Sequence, residues 1–256
     1  MPTIKEKVHF NFNGVSSRTH KVMHVVLDSG MYEEQFVASR EINETKVRGS
    51  GKPLLHGIED NPLEFEMIIA VDGKYTEQQI SDIIRWLWTD TYKPLFFEGK
   101  ENKIYYCTPI DDSSIAHNGL NQGYFTVNMR CDSSYIYSPT TTTAMTTVTT
   151  TPQTITINND GHFDIYPEIS IKKTGAGTVI LEFLDDGGNI FEVRDLTNLE
   201  DIYVNCEKEQ IQTDIIGVYR YDKVVGHYPK LVYGQNRIKI TGACEIQFRY
   251  KIRYRF

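Results

Sequence analysis

The sequence predicts a mainly β protein of two domains. Three observations point there. Candidate strands recur along both halves, aromatic residues alternate with polar ones inside them, and a threonine-rich stretch at 139–152 divides the chain. With 256 residues, each half is long enough to bury a core without metals or disulfides. The 16 Tyr and 12 Phe fit pleated, half-buried strands.

The first half opens with short extended segments. His9 to Phe12 ends at Asn13-Gly14, a tight-turn signal. Lys21 to Leu27 is Val-rich and reads as a strand. Glu41 to Ile58, with Gly49, Gly51, Pro53 and Gly57, reads as a loop. Leu63 to Val71 is a strong strand between Asn61-Pro62 and Asp72-Gly73. One helix is predicted near 76–90. Thr76 can cap it, Gln79 completes a capping-box pattern, and Ile80, Ile83, Ile84 and Leu87 recur at helical spacing. Lys93-Pro94 ends it. Strands resume at Leu95 to Phe97, Lys103 to Cys107 and Gly123 to Cys131.

From Pro139 to Pro152 nearly every residue is Thr. Thr is β-prone, but the stretch has few large apolar groups to bury. It reads as a linker or an edge strand crossing between domains. The second half reads as purely β. Its strands are Gln153–Ile157, Glu168–Lys172, Thr178–Phe183, Asn189–Val193, Asp201–Asn205, Gln210–Ile215, Gly234–Ile240 and Glu245–Phe256. Their spacing is that of a sandwich or jelly roll. In the last, Ile246, Phe248, Tyr250, Ile252, Tyr254 and Phe256 share one face.

Composition excludes several function classes. The net charge of −7 argues against general nucleic-acid or membrane binding, which need basic surface. An acidic conduit for DNA stays compatible with it. No run of about 18 apolar residues predicts a membrane helix. The charged start, with Lys5, Glu6 and Lys7, does not read as a signal peptide. Cys107, Cys131, Cys206 and Cys244 are widely spaced and read as buried free thiols of a protein folded in a reducing cytoplasm.

No active site is legible and no cofactor is expected. Val47 to Pro53 lacks the glycine spacing and Ser/Thr of a phosphate-binding loop. His20 and His24 fall on an extended segment, about 13 Å apart, too far to share a metal. Asp185 to Asn189 and Asn158 to Gly161 lack calcium-loop spacing and read as turns. Glu182, Glu192 and Asp201 are carboxylates with nothing to raise one pair above another. No G-x-S-x-G elbow occurs. Arg249, Lys251, Arg253 and Arg255 read as a solvated face or a protein–protein edge.

Several stretches in order carry a family resemblance. They are Phe10 to Val15, Asn61 to Glu66, the helix, Lys93 to Phe97, and Gly123 to Ser138. In the second half they are Asn158 to Gly161, Tyr166 to Ile171, Leu196 to Asn205, and Leu231 to Gly242. This order resembles the distal tail protein family of long, non-contractile-tailed bacteriophages of Gram-positive hosts. The resemblance implies an N-terminal β-barrel or split barrel with one helix (1–138), the Thr-rich linker (139–152) and a C-terminal galectin-like β-sandwich (153–256). It further implies a structural protein of the virion tail tip, assembled in the host cytoplasm. Its partners would be copies of itself in a hexameric ring, the tail tube protein, the tail-tip protein and, in some members, a receptor-binding protein. DNA would only pass through the channel. The alternative expectation is a carbohydrate-binding module, in which Tyr203, Tyr219, Tyr221 and Tyr228 would meet sugar or a partner. A cell-wall hydrolase is a third, weaker reading.

Overall fold

The computed structural model describes residues 4–27, 37–110, 114–117, 122–149 and 151–255. It divides into two compact units between Tyr137 and Ser138.

The first unit contains β1 (Ile4–Val8), β2 (Phe10–Phe12), β3 (Val15–Ser16), β4 (Val22–Leu27), β5 (Arg40–Thr45), β6 (Leu54–Asp60), β7 (Glu64–Val71), α1 (Glu77–Leu87), β8 (Lys93–Phe97), β9 (Tyr105–Ile110), β10 (Ile115–His117), β11 (Gly123–Cys131) and β12 (Ile136–Tyr137). One antiparallel sheet runs β1-β4-β7-β11-β9-β8-β2-β3, with β10 on β11. Only His9 separates β1 from β2, yet β1 pairs with β4 and β2 with β8. The sheet path therefore starts and ends on one stretch of chain, which curls it into a split barrel. The turn after β2 follows its sequence. Asn13 (φ 53°) and Gly14 (φ 78°) both take the left-handed conformation that a tight hairpin requires.

α1 covers the barrel. Trp86 stacks on Phe10 at 5.6 Å, and its Nε1 donates to the Phe12 carbonyl at 3.0 Å. Ile83 and Leu87 are buried with Phe12, Met67, Leu95 and Met129. The helix is shorter than expected, stopping at Leu87 with Trp88 as C-cap. The capping box is half formed. Thr76 Oγ1 accepts from the Gln79 N–H at 3.2 Å, but the Gln79 side chain donates to the His20 carbonyl at 2.9 Å instead of closing the box.

Glu41 to Ile58 is not a loop. It lies mostly in a two-stranded ribbon, β5–β6, and almost every residue of both strands is exposed. With no face against a core, the ribbon needs no apolar alternation, which is why no strand pattern is legible there.

The second unit holds β13 (Thr141–Thr142), β14 (Thr146–Val148), β15 (Gln153–Asn159), β16 (Glu168–Lys173), β17 (Gly177–Phe183), β18 (Asn189–Leu196), β19 (Asp201–Asn205), β20 (Gln210–Thr213), β21 (Val224–Gly226), β22 (Gly234–Thr241), β23 (Cys244–Tyr250) and β24 (Arg253–Tyr254). One sheet runs β13-β23-β16-β19-β20, with β14 on β23; the other runs β15-β22-β17-β18-β21. Ile169, Ile171, Ile202, Val204, Ile246 and Phe248 from the first meet Val179, Leu181, Phe183, Phe191, Val193, Ile238 and Ile240 from the second in one core. That is a β-sandwich. Within the threonine-rich stretch, β13 and β14 pair with β23 and Val148 is buried. Its backbone hydrogen bonds and one Val do what the missing apolar groups could not. The last strand is broken: β23 stops at Tyr250, and Arg253–Tyr254 forms a separate short strand, while Phe256 lies outside the described residues.

Candidate interaction surfaces

The residues first tested for chemistry are engaged structurally. His20 stacks on Trp86 at 4.5 Å, and burial lowers its pKa. His24 Nδ1 lies 3.1 Å from the Ile68 carbonyl. Val47 to Pro53 forms the tip region joining β5 to β6. Asp185 is bound by Arg237 at 2.7 Å, which holds its carboxyl below the ordinary range. Asn159 is buried and donates to the Phe163 and Leu231 carbonyls, both at 3.0 Å. Glu182 pairs with Lys239, Glu192 with Arg194, and Arg249 with Glu168. Among the described residues no group of three or more His, Cys, Asp or Glu could hold a metal ion. Among them, too, no helix is long and apolar enough to cross a membrane.

What the molecule offers instead is exposed apolar surface. On the β5–β6 ribbon, Ile42 is 60% and Leu54 57% exposed, with Leu55 and Ile58 similar. Ile42 and Ile58 sit directly opposite each other, so they share a face. The ribbon is held in shape by Arg40–Asp60 at 2.6 Å and Thr45–His56 at 2.8 Å. A second surface lies beside α1. Ile84, which belongs to the apolar stripe, and Trp88 are exposed. With Ile80, Ile83, Ile115 and Phe125 they line an apolar groove of about 220 Å³.

In the sandwich, the four candidate tyrosines fall in different settings. Tyr203 lies on the outer face of β19, opposite Ser170 and Gln212. Burial raises its pKa, and its hydroxyl interacts with Asn205 and Glu168. It helps line an open cleft of about 580 Å³ with Lys172, Asp201, Gln212 and Glu245. Tyr228 packs its ring on Phe191 at 5.4 Å, against the core. Tyr219 and Tyr221 are exposed, on the segment between β20 and β21. There Ile216 is 99% and Tyr219 81% exposed. The base of that segment is pinned by Arg220, whose guanidinium donates twice to Glu200, both at 2.7 Å. The pair is shielded, with side chains 8% and 0% exposed.

Sequence reading missed the ribbon, the α1 groove and Ile216. The exposed side of the helix was findable in principle, since its apolar stripe is wider than one barrel contact needs.

Comparison with known proteins places this arrangement. Residues 5–133 match a family model described as the phage tail protein N-terminal domain. Residues 135–250 match one described as the phage tail C-terminal domain. YomH, an SPbeta prophage-derived protein of Bacillus subtilis (strain 168), is 33% identical over 251 residues, covering 98% of this chain and 99% of that protein. In structure, the chain is similar to the Dit (gp 19.1) protein of phage SPP1, described as a paradigm of the hub adsorption apparatus in phages infecting Gram-positive hosts. That likeness has a TM-score of 0.70 at 18% identity and covers 97% of this chain and all (100%) of the other. It is also similar, with a TM-score of 0.54 at 9% identity, to a chain of the phage P2 baseplate in its activated conformation with calcium, covering 98% and 99%.

Proposed function

This chain belongs to the phage tail protein family whose N- and C-terminal domain models match residues 5–133 and 135–250, and from that premise we propose that it is the distal tail hub of a long, non-contractile-tailed phage. Six copies close into a ring joining the tail tube to the tail-tip protein. The split-barrel domains, residues 1–138, build the ring and the channel through which DNA passes. The sandwich domains, in which β13 and β14 of the Thr-rich stretch join residues 153–256, are galectin-like, face outward and anchor receptor-binding proteins. The work is assembly in the host cytoplasm, without catalysis and without a cofactor. The observation that carries this reading is the end-to-end fold likeness to the SPP1 Dit protein, which spans 97% of this chain and 100% of that one.

The ribbon and groove suit such closure. Ile42, Leu54, Leu55 and Ile58 of one copy lie against Ile84 and Trp88 of the next. A contact between two different patches repeats head to tail until the rotation closes. Imaging of the full chain, alone and with its tail tube protein, tests the reading. Rings with a central hole are expected. A strict monomer at high concentration that also ignores the tube protein overturns it.

A second reading is glycan binding by the sandwich. The cleft around Tyr203 favours it, because one ring among amide, carboxylate and ammonium groups suits a sugar's apolar face and hydroxyls. Tyr219, Tyr221 and Tyr228 do not line that cleft; the exposed Tyr219 and Tyr221 would instead touch a protein partner. Host cell walls should retain the full chain and release Y203A; no retention of either removes the idea.

A further inference from the structure

Cys107 and Cys131 stand directly opposite each other on neighbouring strands β9 and β11. Hydrogen bonding fixes the kind of pair. The adjacent residues, Tyr106 and Asp132, are bonded through the Asp132 N–H to the Tyr106 carbonyl at 2.9 Å. The Cys131 N–H points the other way, to Leu63 at 2.7 Å. Bonding alternates along an antiparallel ladder, so Cys107 and Cys131 form a non-hydrogen-bonded pair. Pro109, which has no N–H to give, sits opposite Met129 at the next position of the same kind. Such pairs bring Cα atoms to about 4.5 Å, inside the ~4.4–6.8 Å that a disulfide spans. Both side chains turn into the same core cluster.

We infer that Cys107 and Cys131 are a latent cross-strand disulfide that closes when the particle leaves the reducing cytoplasm. The timing rests on the phage-tail reading; the geometry does not. The oxidant is a small-molecule disulfide. One cysteine thiolate attacks it, forming a mixed disulfide and releasing one small thiol. The second cysteine thiolate attacks the mixed disulfide, forming the Cys107–Cys131 bond and releasing the other. Two electrons pass to the oxidant, and the two thiol protons end on its products. Burial pushes the Cys131 thiol up to about 12 and the Cys107 thiol well above its ordinary value. The thiols are thereby protected during assembly, and closure waits for local opening. Once formed, the link ties together two strands in the middle of the barrel sheet.

The other two cysteines act as internal controls. Cys244 faces Val148 and Lys173 across its ladders, not Cys206. Full-length protein is incubated with oxidised glutathione, quenched in acid, then denatured and alkylated. The expected result is loss of two hydrogens in mass, alkylation only at Cys206 and Cys244, and a peptide linking Cys107 to Cys131. The thermal midpoint should rise on oxidation and return on reduction. C107A and C131A should each abolish the link, whereas C206A, equally a core cysteine, should keep it. Four alkylated cysteines after long exposure, an unresolved glutathione adduct, or a link to Cys206 or Cys244 overturns the inference. Protein that forms the link but never a ring overturns the hub reading alone.

Discussion

Glu200 shows how one buried carboxylate can order a surface segment. It accepts from Arg220 twice, from the Thr197 N–H at 2.8 Å and hydroxyl at 3.1 Å, and from the Thr213 hydroxyl at 2.7 Å. Removing one partner of a buried pair leaves an uncompensated charge, so R220A should cost the sandwich about 3–5 kcal/mol, read by urea unfolding. The Arg194–Glu192 pair, with Arg194 half exposed, should by contrast contribute little in the same assay. Burial pushes the Glu200 carboxyl up, but hydrogen bonds from Arg220, Thr197 and Thr213 outweigh it and hold the carboxyl below its ordinary value. A depressed folded pKa gives stability that is present above the unfolded value and lost as pH falls through the folded one. The urea midpoint should therefore drop as pH falls below about 4.3, and E200Q should lack that component. None of this was legible in sequence. Glu200 and Arg220 are twenty residues apart, with no period connecting them.

At the scale of elements, α1 was the most legible. Its cap and its i, i+3, i+4, i+7 spacing located it within three residues at the C-terminal end. Spacing shows that a face is apolar but not how much of it another element covers. Ile83 and Leu87 therefore went in while Ile84 stayed out. I83A or L87A should cost about 2–5 kcal/mol through the cavity left behind, and T76A about 1 kcal/mol, in equilibrium unfolding. The Asn13-Gly14 hairpin was legible because its chemistry is local. The β5–β6 ribbon was not, because neither face needs burial and its stability comes from cross-strand ladders. Gly242 lies between β22 and β23. Its φ is +103°, and an added Cβ would lie 2.2 Å from the Thr178 carbonyl oxygen. G242A should destabilise the sandwich by more than about 1 kcal/mol, shown by a lowered midpoint with unchanged slope.

At the scale of the whole molecule, the sequence yielded a mainly β protein, an order of strands and a family resemblance. It could not yield the surfaces on which copies meet, because strand patterns report what faces a domain's own core. The ribbon supplies a direct check. I42K with I58E, whose opposite charges would face each other across the ribbon, should abolish rings while leaving the circular dichroism spectrum unchanged and the unfolding free energy within about 0.5 kcal/mol of the parent, since both residues are exposed. Persisting rings would remove the ribbon from the contact. The barrel's seam has a bearing on how the chain is made. Its first strand stretch changes partner at His9, and Phe10 pairs with Phe97. During synthesis that stretch emerges before β8 and must wait for it. At about 5–20 residues per second, it stays unsealed for several seconds on the ribosome. A nascent chain cut short before Phe97 keeps an open sheet edge, and because β8 reaches β7 only through β9 and β11, the N-terminal domain has no complete fold until Cys131 has been made.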